Sequence, residues 1–184
     1  FHQADIKPRE SLGNEIRCGI LGKPARLNED FLNCLHQAQQ LNANLLFQFS
    51  HPHFQDEGLK KRITEMVESV LGNAYCINAN KIPDVFSEVD LVIDAFPKSS
   101  GTTTWESVAA GIPVVTYLAP QIYGRMSASV LGALGRDDLI AHGIHEFPKL
   151  IADKAVWSRN QNVRNQIRKD FDSSIASHFE QFAQ

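Results

Sequence analysis

The sequence predicts one α/β domain built on a doubly wound parallel sheet, with helices packed on both faces. Short apolar runs of strand length alternate along the chain with longer segments of helical periodicity. The run Asp90–Ile93 is almost continuously apolar, which is typical of a parallel strand buried on both faces. The chain has 184 residues, 43% of them hydrophobic, which is enough for one domain with its own core.

Five segments have the length and pattern of strands. They are Ile16–Leu21, Leu45–Phe49, Tyr75–Ile77, Asp90–Ile93 and Pro113–Tyr117. Between them, apolar spacing predicts helices over residues 31–41 (capped by Asn28), over residues 59–70, after Pro83, over Thr102–Ala110 (stopped by Gly111) and over Gln121–Leu131 (closed by Gly132). This alternation predicts that successive strands lie parallel.

The last part of the chain, from Ile144 onward, has a helical pattern, so C-terminal helices are expected to complete the domain. The positions expected to be buried there are Phe147, Leu150, Ile151, Val156, Val163, Ile167, Phe171, Ile175 and Phe179. Residues 1–14 are polar and contain Pro8 and Gly13, so they are predicted to be a linker, with the domain over residues 15–184.

Composition narrows the possible partners. The formal net charge is −3, from 18 basic and 21 acidic residues that are interspersed, which argues against a nucleic-acid surface or an anionic membrane surface. No apolar run approaches the ~20 residues that span a bilayer, and the N-terminus lacks a signal-peptide layout. The three cysteines have no CxxC spacing, so they are predicted to be reduced and structural. We expect a cytoplasmic protein and, because the chain begins at Phe1, a piece of a longer one.

The loop after the fourth predicted strand has the strongest signal for a site, because ligands of open parallel sheets bind beyond the carboxyl ends of the strands. It runs Phe96-Pro-Lys-Ser-Ser-Gly-Thr-Thr-Thr-Trp-Glu106 and opens a helix. A helix start presents unpaired N–H groups and the positive end of the helix dipole, which attract anions. Hydroxyls of Ser100, Thr102 and Thr103 add donors. A diphosphate would fit this turn.

Glu106 has two interpretations. It lies about one helical turn beyond the threonines, where a carboxylate can accept hydrogen bonds from ribose hydroxyls. Alternatively, Thr103 as N-cap and Glu106 three residues later would form a capping box that needs no ligand. The local sequence leaves both open.

A second loop, Gly22–Arg26, follows the first predicted strand and reaches the same edge of the sheet. Arg26 or Lys23 could there neutralise the charge of a nucleotide leaving group, and the alternative is a solvated basic loop. His51 and His53 lack a third ligand of defined spacing, so no metal site is predicted. No GxGxxG or GxxxxGK[ST] motif occurs.

Two further residues have structural interpretations. Trp105 is expected to be a packing residue at the helix start. Arg125 could reach a ligand or pair with a carboxylate such as Asp137, and pairing is favoured.

Several segments together resemble a known family. Asp90-Leu-Val-Ile-Asp-Ala-Phe-Pro97, then Ser-Gly-Thr-Thr-Thr-Trp-Glu106 and Ala110-Gly-Ile-Pro-Val-Val-Thr116, resemble the C-terminal catalytic lobe of the O-GlcNAc transferase family. The bacterial adhesin-type cytoplasmic N-glycosyltransferases look closer still: their strand ends in Asn-Pro-Phe-Pro, before an Asn-Thr-Asn loop and an acidic helix residue. Arg26-Leu27-Asn28 with Phe31-Leu32 resembles their Lys-Leu-Asn-Pro-x-Phe-Leu segment. The similarity runs from about Ile16 to the end.

The resemblance implies one Rossmann-like lobe of a GT-B glycosyltransferase that holds a UDP-sugar donor without a metal or other cofactor. By position, the turn Ser100–Thr104 would hold the diphosphate, Glu106 the ribose, and the backbone at Asn78 and Ala79 the uracil. Arg26 would replace the family lysine that contacts the phosphates. An N-terminal lobe of the same enzyme and a protein or peptide acceptor are the implied partners.

The chain departs from the family at position 101, where Gly101 replaces the histidine of the O-GlcNAc transferases and the polar residue of the adhesin-type enzymes. Two alternatives stay open, and this departure favours the first. One is a nucleotide-binding or regulatory module with reduced catalysis. The other is a phosphosugar epimerase or phosphatase-like α/β enzyme unrelated to UDP.

Overall fold

The computed structural model describes residues 13–174, in which six strands form one parallel sheet. The strands are β1 (Ile16–Ile20), β2 (Leu45–Ser50), β3 (Tyr75–Asn78), β4 (Leu91–Ile93), β5 (Val114–Tyr117) and β6 (Ile140–Ala141). Their order across the sheet is β3-β2-β1-β4-β5-β6, and each neighbouring pair is parallel. The predicted fold class, a doubly wound parallel α/β sheet, is confirmed.

Helices cover both faces of this sheet. They are α1 (Glu29–Leu41), α2 (Glu57–Leu71), α3 (Ile82–Val85), α4 (Gly101–Ala109), α5 (Met126–Ala133), α6 (Phe147–Ser158) and α7 (Gln161–Ser173). Helix α1 packs against α2 and α6, whereas α4 packs against α5 and α7. Asn28 caps α1 as predicted, because its side chain accepts a hydrogen bond from the Phe31 amide. The largest side chains of the core are fully buried: Phe31, Phe47, Phe49, Phe54 and Phe147.

The direction of strand order reverses between β1 and β4. Strand β1 pairs with β2 on one side and with β4 on the other, with Cys18 opposite Leu91. The chain therefore winds away from this point in both directions, and the loops that follow β1 and β4 meet above a crevice at the carboxyl edge of the sheet. Ligands of open α/β sheets bind at such a switch point.

Three expectations about elements are wrong. Strand β6 was not predicted, because a strand of two residues has no period to detect. The helix expected over 121–131 is instead a 3-10 turn over Ile122–Gly124 followed by α5, since the Ser99 hydroxyl accepts the amide of Met126 and starts the helix there. Gly132 lies inside α5, and the glycine with positive φ that follows this helix is Gly135.

The buried positions predicted after residue 144 are mostly confirmed. Phe147, Ile151, Val163, Ile167 and Phe171 are in the core, and Leu150 packs against it. Val156 is 59% exposed, because α6 turns its face with Phe147, Ile151 and Ala155 inward. Ile175, Phe179 and the predicted linker residues 1–12 lie outside the described residues.

The cysteines are free, as expected: Cys18 and Cys34 are buried and Cys76 is half-buried. Burial, helped by the charge of Asp30, raises the pKa of the Cys34 thiol to about 11, so this thiol is protonated at neutral pH. Within residues 13–174 no helix has the length and apolar character needed to cross a bilayer.

Gly111 follows the end of α4, and a substitution there measures how tightly the chain is packed against α7. Its φ is 77°, and an added Cβ would lie 2.9 Å from the backbone oxygen of Arg164. We expect Gly111→Ala to lower the free energy of unfolding by about 2 kcal/mol or more, because backbone strain and a contact with main-chain atoms add. Gly135→Ala is the matched control: φ is 68° but no atom lies within 4 Å, so about 1 kcal/mol is expected. Equal losses in urea unfolding would contradict a role for the contact.

Candidate functional site

The start of α4 presents backbone donors that the protein leaves unused. Its N-cap residue, Ser100, makes no side-chain cap bond. The first amide bonded within the helix is that of Thr104, which donates to the Ser100 carbonyl at 2.8 Å. Within the described part of the chain, the amides of Gly101, Thr102 and Thr103 have no protein acceptor, as at the N-terminus of any uncapped helix. These three amides are called the helix-start site below.

The capping-box interpretation of Glu106 is wrong. The helix begins at Gly101, so Thr103 is its third residue and cannot be the N-cap. Glu106 lies beyond the first turn and shares a face with Thr102 and Thr103. It is half-buried, and burial raises the pKa of its carboxyl. No group within residues 13–174 donates a hydrogen bond to this carboxylate, so it is available to a ligand.

Asp94, at the end of β4, fixes the backbone of the helix-start site from beneath. One carboxylate oxygen accepts the Ser100 amide at 2.9 Å, and the other accepts the Thr116 hydroxyl at 2.9 Å. The Ser100 amide is therefore turned inward, and the next three amides follow the helix axis outward. Asp94 is 4% exposed. Asp94 was not among the predicted site residues, although a carboxylate that ends the apolar run Leu91–Ile93 is a usable signal.

The environment of Asp94 opposes its negative charge. Burial raises the pKa of its carboxyl to about 6, even though hydrogen bonds from Ser127, Thr116 and the Ser100 amide, together with the Arg26 charge, act to lower it. The effect of burial is therefore larger than that of the favourable contacts, and ionisation of Asp94 destabilises the folded state at neutral pH.

Arg26 reaches the helix-start site from the loop after β1. It ends a 3-10 turn, Pro24–Arg26, and its guanidinium donates to the Ser100 hydroxyl. Asn28 ties the same loop to the loop after β4, because its side-chain amide donates to the Phe96 carbonyl at 2.6 Å. The two loops that the sequence singled out thus lie side by side. Lys23, which precedes the turn, is exposed.

The hydroxyl side chains of the turn are placed differently from one another. Thr102 is exposed and Thr103 is half-buried, and both lie in the first turn of α4 with the open amides. Thr104 is 1% exposed, and its hydroxyl forms a 2.7 Å hydrogen bond with the Ser127 hydroxyl. The Thr104 side chain therefore supports the helix from inside. The Ser100 hydroxyl already accepts from Arg26.

The predicted base contacts lie farther along the edge of the sheet. Asn78 ends β3, and its carbonyl accepts the His51 amide at 3.3 Å while its side chain accepts the Asn80 amide at 3.2 Å. Strand β3 is three positions from β4, about 14 Å at the usual spacing of strands. A ligand that touched both Ala79 and the helix-start site would lie across the ends of β2 and β1.

The remaining candidates have structural roles. His51 accepts the His53 amide on its ring nitrogen, and residues 13–174 contain no group of three or more side chains suited to a metal. Burial, then the charges of His53, Lys23 and Arg26, lower the pKa of His51, so cations surround the end of β2 as well. Trp105 packs edge-on against Phe171, as expected.

Arg125 was expected to pair with Asp137, and this is wrong. Its guanidinium donates to the carbonyls of Ala119 and Pro120, at 3.1 and 2.9 Å. Arg125 thereby fixes the loop after β5, whose backbone carbonyls lie beyond the end of the strand.

Gly101 and Met126 are packed so closely that a side chain at position 101 would require the Met126 side chain, which is 52% exposed, to shift. A Cβ at Gly101 would lie 2.8 Å from Cε and 3.0 Å from Cβ of Met126. The Met126 backbone cannot retreat easily, because its amide donates to the Ser99 hydroxyl at 2.9 Å. The family residues at this position, a histidine or a polar side chain, would have to displace the Met126 side chain.

We expect Gly101→Ala to destabilise the chain by about 1–2 kcal/mol, the cost of overpacking against a partly adaptable side chain. In a Met126→Ala background the cost is expected to fall by about half, because the Cε contact is gone while the Cβ contact stays. Urea unfolding of the two single variants and the double variant measures this coupling. Strictly additive losses would show that Met126 is not the obstacle.

Comparison with solved structures shows which known fold this chain has. A variant of the O-GlcNAc transferase of Thermobaculum terrenum superposes with a TM-score of 0.75 at 17% identity, over 95% of this chain and 36% of that protein. The fold is the Rossmann-like fold of GT-B glycosyltransferases. No protein-family model and no curated protein matches the sequence.

Two further neighbours were solved with nucleotide bound. HepE of Anabaena, in complex with UDP and glucose, superposes with a TM-score of 0.61 at 15% identity, over 92% of this chain and 47% of that one. A variant of TarM of S. aureus, in complex with fondaparinux, alpha-GlcNAc-glycerol and UDP, gives 0.63 at 12% identity, over 96% and 36%. The chain therefore spans less than half the length of these neighbours.

Proposed function

We propose that this chain is the nucleotide-sugar-binding lobe of a glycosyltransferase that transfers a hexose or GlcNAc from a UDP-sugar to a protein or peptide acceptor. One observation carries the proposal: three open amides at the start of α4 lie beside the Arg26 guanidinium at the switch point of the sheet. Neighbours of the same fold that were solved with UDP support it. The likeness of the sequence segments to the O-GlcNAc transferase and adhesin-type families also supports it.

The proposed mechanism follows from the charge on the leaving group. As the glycosidic bond breaks, the departing nucleoside diphosphate gains negative charge. In a metal-independent enzyme, fixed donors must stabilise that charge. The amides of the helix-start site, the hydroxyls of Thr102 and Thr103, and the cations Arg26 and Lys23 are the donors available here. Glu106 would accept the ribose hydroxyls, and the backbone at Asn78 and Ala79 would contact the uracil.

The acceptor side of the reaction is assigned to a second lobe. Because the chain spans 36% to 47% of three glycosyltransferase neighbours, we propose that an N-terminal lobe of the same enzyme closes the cleft, binds the acceptor and supplies the general base. We assign no general base to this chain. A cytoplasmic setting belongs to the same proposal.

A thermal-shift panel of UDP, GDP, ADP and their sugars tests the proposal. Uridine nucleotides are expected to raise the melting temperature more than the others, because a ligand that binds only the folded state stabilises it. Thr103→Val removes one donor at constant shape and is expected to reduce this shift. Thr64→Val, the same change on α2, is the matched control and is expected to leave it unchanged. Uridine nucleotides without effect would contradict the proposal and favour a phosphosugar enzyme.

A second candidate is a nucleotide-binding or regulatory module with reduced catalysis. The contact of Gly101 with Met126 favours it, because the family side chain at that position would require Met126 to move. Calorimetry that showed UDP binding to the full-length protein, with no sugar transfer by the same preparation, would support this candidate over an active enzyme.

A further inference from the structure

Asp94 holds a carboxylate directly beneath the place where an anion is proposed to bind. Its carboxylate accepts the Ser100 amide at 2.9 Å, and the open amide of Gly101 is the next one along the backbone. An oxygen that accepted from that amide would lie about 3 Å farther out. Asp94, Ser100 and Thr103 also line one narrow cavity. A phosphate at the helix-start site would therefore lie within about 8 Å of the carboxylate.

The burial of Asp94 makes this short distance effective. The residue is 4% exposed, so little water lies around its carboxylate to screen the charge. An ionised carboxylate at this position opposes the binding of a diphosphate, because the two groups have the same sign. A protonated carboxyl does not. The structure thus holds, at the base of an anion site, a group that can relieve the repulsion by taking up a proton.

The groups that face Asp94 come from β5, α5, the start of α4 and the loop after β1. They are the hydroxyls of Thr116 and Ser127, the Ser100 amide, and the cations Arg26 and Lys23. Asp94 is the one carboxylate among the described residues that line this cavity. The repulsion of a bound diphosphate therefore acts mainly on Asp94.

Arg26 is shared between Asp94 and the proposed ligand. Its guanidinium donates to the Ser100 hydroxyl, and its charge favours the ionised form of Asp94. A UDP-sugar brings one negative charge on each phosphate and attracts the same guanidinium. Both effects favour the protonated carboxyl. Burial already raises the pKa of Asp94 to about 6, and a further rise of about one unit, expected for a like charge at this distance, brings the pKa to about 7.

Resting on the proposed function, we propose that binding of the nucleotide-sugar at the helix-start site is coupled to the uptake of a proton from solvent by Asp94. The proton belongs on the oxygen that faces Thr116, because a hydroxyl can accept as well as donate, whereas the Ser100 amide can only donate. The backbone of the helix start keeps its support in both protonation states. Affinity is highest below pH 6 and falls as the pH rises, so Asp94 makes the site sensitive to pH.

Calorimetry of UDP-glucose binding to the 184-residue chain, in buffers with different ionisation enthalpies, measures the proton uptake. UDP-glucose is the suitable probe, because its diphosphate has no terminal phosphate group with a pKa of about 6, unlike that of UDP. At pH 6.5 the heat of binding is expected to change with the buffer by an amount that corresponds to about half a proton per ligand. The dissociation constant is expected to rise about sevenfold between about pH 5.5 and pH 8.

Three variants separate this role of Asp94 from a structural one. Asp94→Asn cannot take up the proton, so its heat of binding is expected to be independent of the buffer, and at pH 8 it is expected to bind UDP-glucose about fivefold more tightly than wild type. Asp153→Asn, at an exposed position of α6, is the control and is expected to keep the uptake. Thr116→Val keeps the carboxyl and removes a donor to its charged form, so the fall in affinity is expected at higher pH.

The outcomes that would overturn the proposal are distinguishable. His51 could take up a proton instead, because the charges of Lys23 and Arg26 act on its ring. His51→Gln is expected to keep the uptake, and loss of uptake in this variant but not in Asp94→Asn would assign the proton to the histidine. Wild type that binds UDP-glucose without any buffer dependence would overturn the coupling while the diphosphate site stands. If neither UDP-glucose nor UDP binds at any of these pH values, the proposed function fails, and the coupling fails with it.

Discussion

Replacing Arg26 by alanine is expected to weaken UDP binding about 10- to 100-fold, the effect of losing one charge-assisted hydrogen bond to a phosphate. If the proposed function holds, the same change is expected to raise the barrier to sugar transfer by about 3 kcal/mol, because the charge on the departing diphosphate loses a fixed donor. The free energy of unfolding is expected to change by less than about 1 kcal/mol, since the side chain is only half-buried and bonds one hydroxyl. Calorimetry and urea unfolding measure the two effects separately.

Two variants control for charge and shape. Arg62→Ala removes the same charge from the exposed face of α2 and is expected to leave UDP binding within about twofold, because solvent screens distant charges. Arg26→Lys keeps the charge without the planar fork of donors and is expected to fall between wild type and alanine. If Arg26→Ala bound UDP normally, the guanidinium would have no part in the site. Normal rates of sugar transfer with that change would remove Arg26 from the proposed mechanism.

Replacing Asp94 by asparagine is expected to stabilise the protein at neutral pH, by about 2 kcal/mol. The folded state holds the Asp94 pKa at about 6, above its ordinary value of 3.8. Between these two values the folded state keeps a proton that the unfolded state releases, so stability falls as pH rises from about 4 to about 6. The full cost of ionising the buried carboxyl is about 3 kcal/mol, and imperfect hydrogen bonding by the asparagine offsets part of the gain.

The difference in unfolding free energy between wild type and Asp94→Asn is expected to depend on pH. Wild type and Asp94→Asn are expected to have similar unfolding free energies near pH 4, with the variant gaining an advantage that is complete by about pH 7. Urea unfolding at several pH values measures this difference. A variant that was less stable than wild type at pH 7 would show that the hydrogen bonds to Ser100 and Thr116 outweigh the cost of the buried charge.

Asp138→Asn provides a control of opposite sign. Burial acts to raise the pKa of Asp138, but hydrogen bonds and charges from Arg136 and Lys154 outweigh it and lower the pKa. Stability from this group is therefore present at neutral pH and lost as pH falls through the folded pKa. Asp138→Asn is expected to destabilise the chain most at neutral pH, where Asp94→Asn stabilises it.

Much of the fold could be predicted because its information is local. Alternation of apolar positions marks β1, and continuous apolarity marks β4, which is buried on both faces. Asn28 and Gly111 were predicted correctly as helix boundaries, because capping and positive φ depend on a few consecutive residues. Strand β6 could not be predicted in this way, because its two residues form a strand only through pairing with β5.

The candidate site, like the fold, could be predicted from the sequence only in part. The sequence by itself determined that a helix start follows a buried strand and that cations follow the first strand, because both depend on residue order along one loop. That this helix start is uncapped was decided by the structure. Only the tertiary structure decided that Arg26 contacts Ser100, that Asp94 turns the Ser100 amide inward, and that Met126 fills the space above Gly101. These contacts join residues far apart in the chain, and the order of strands and the packing of α5 on α4, which no local pattern encodes, bring them together.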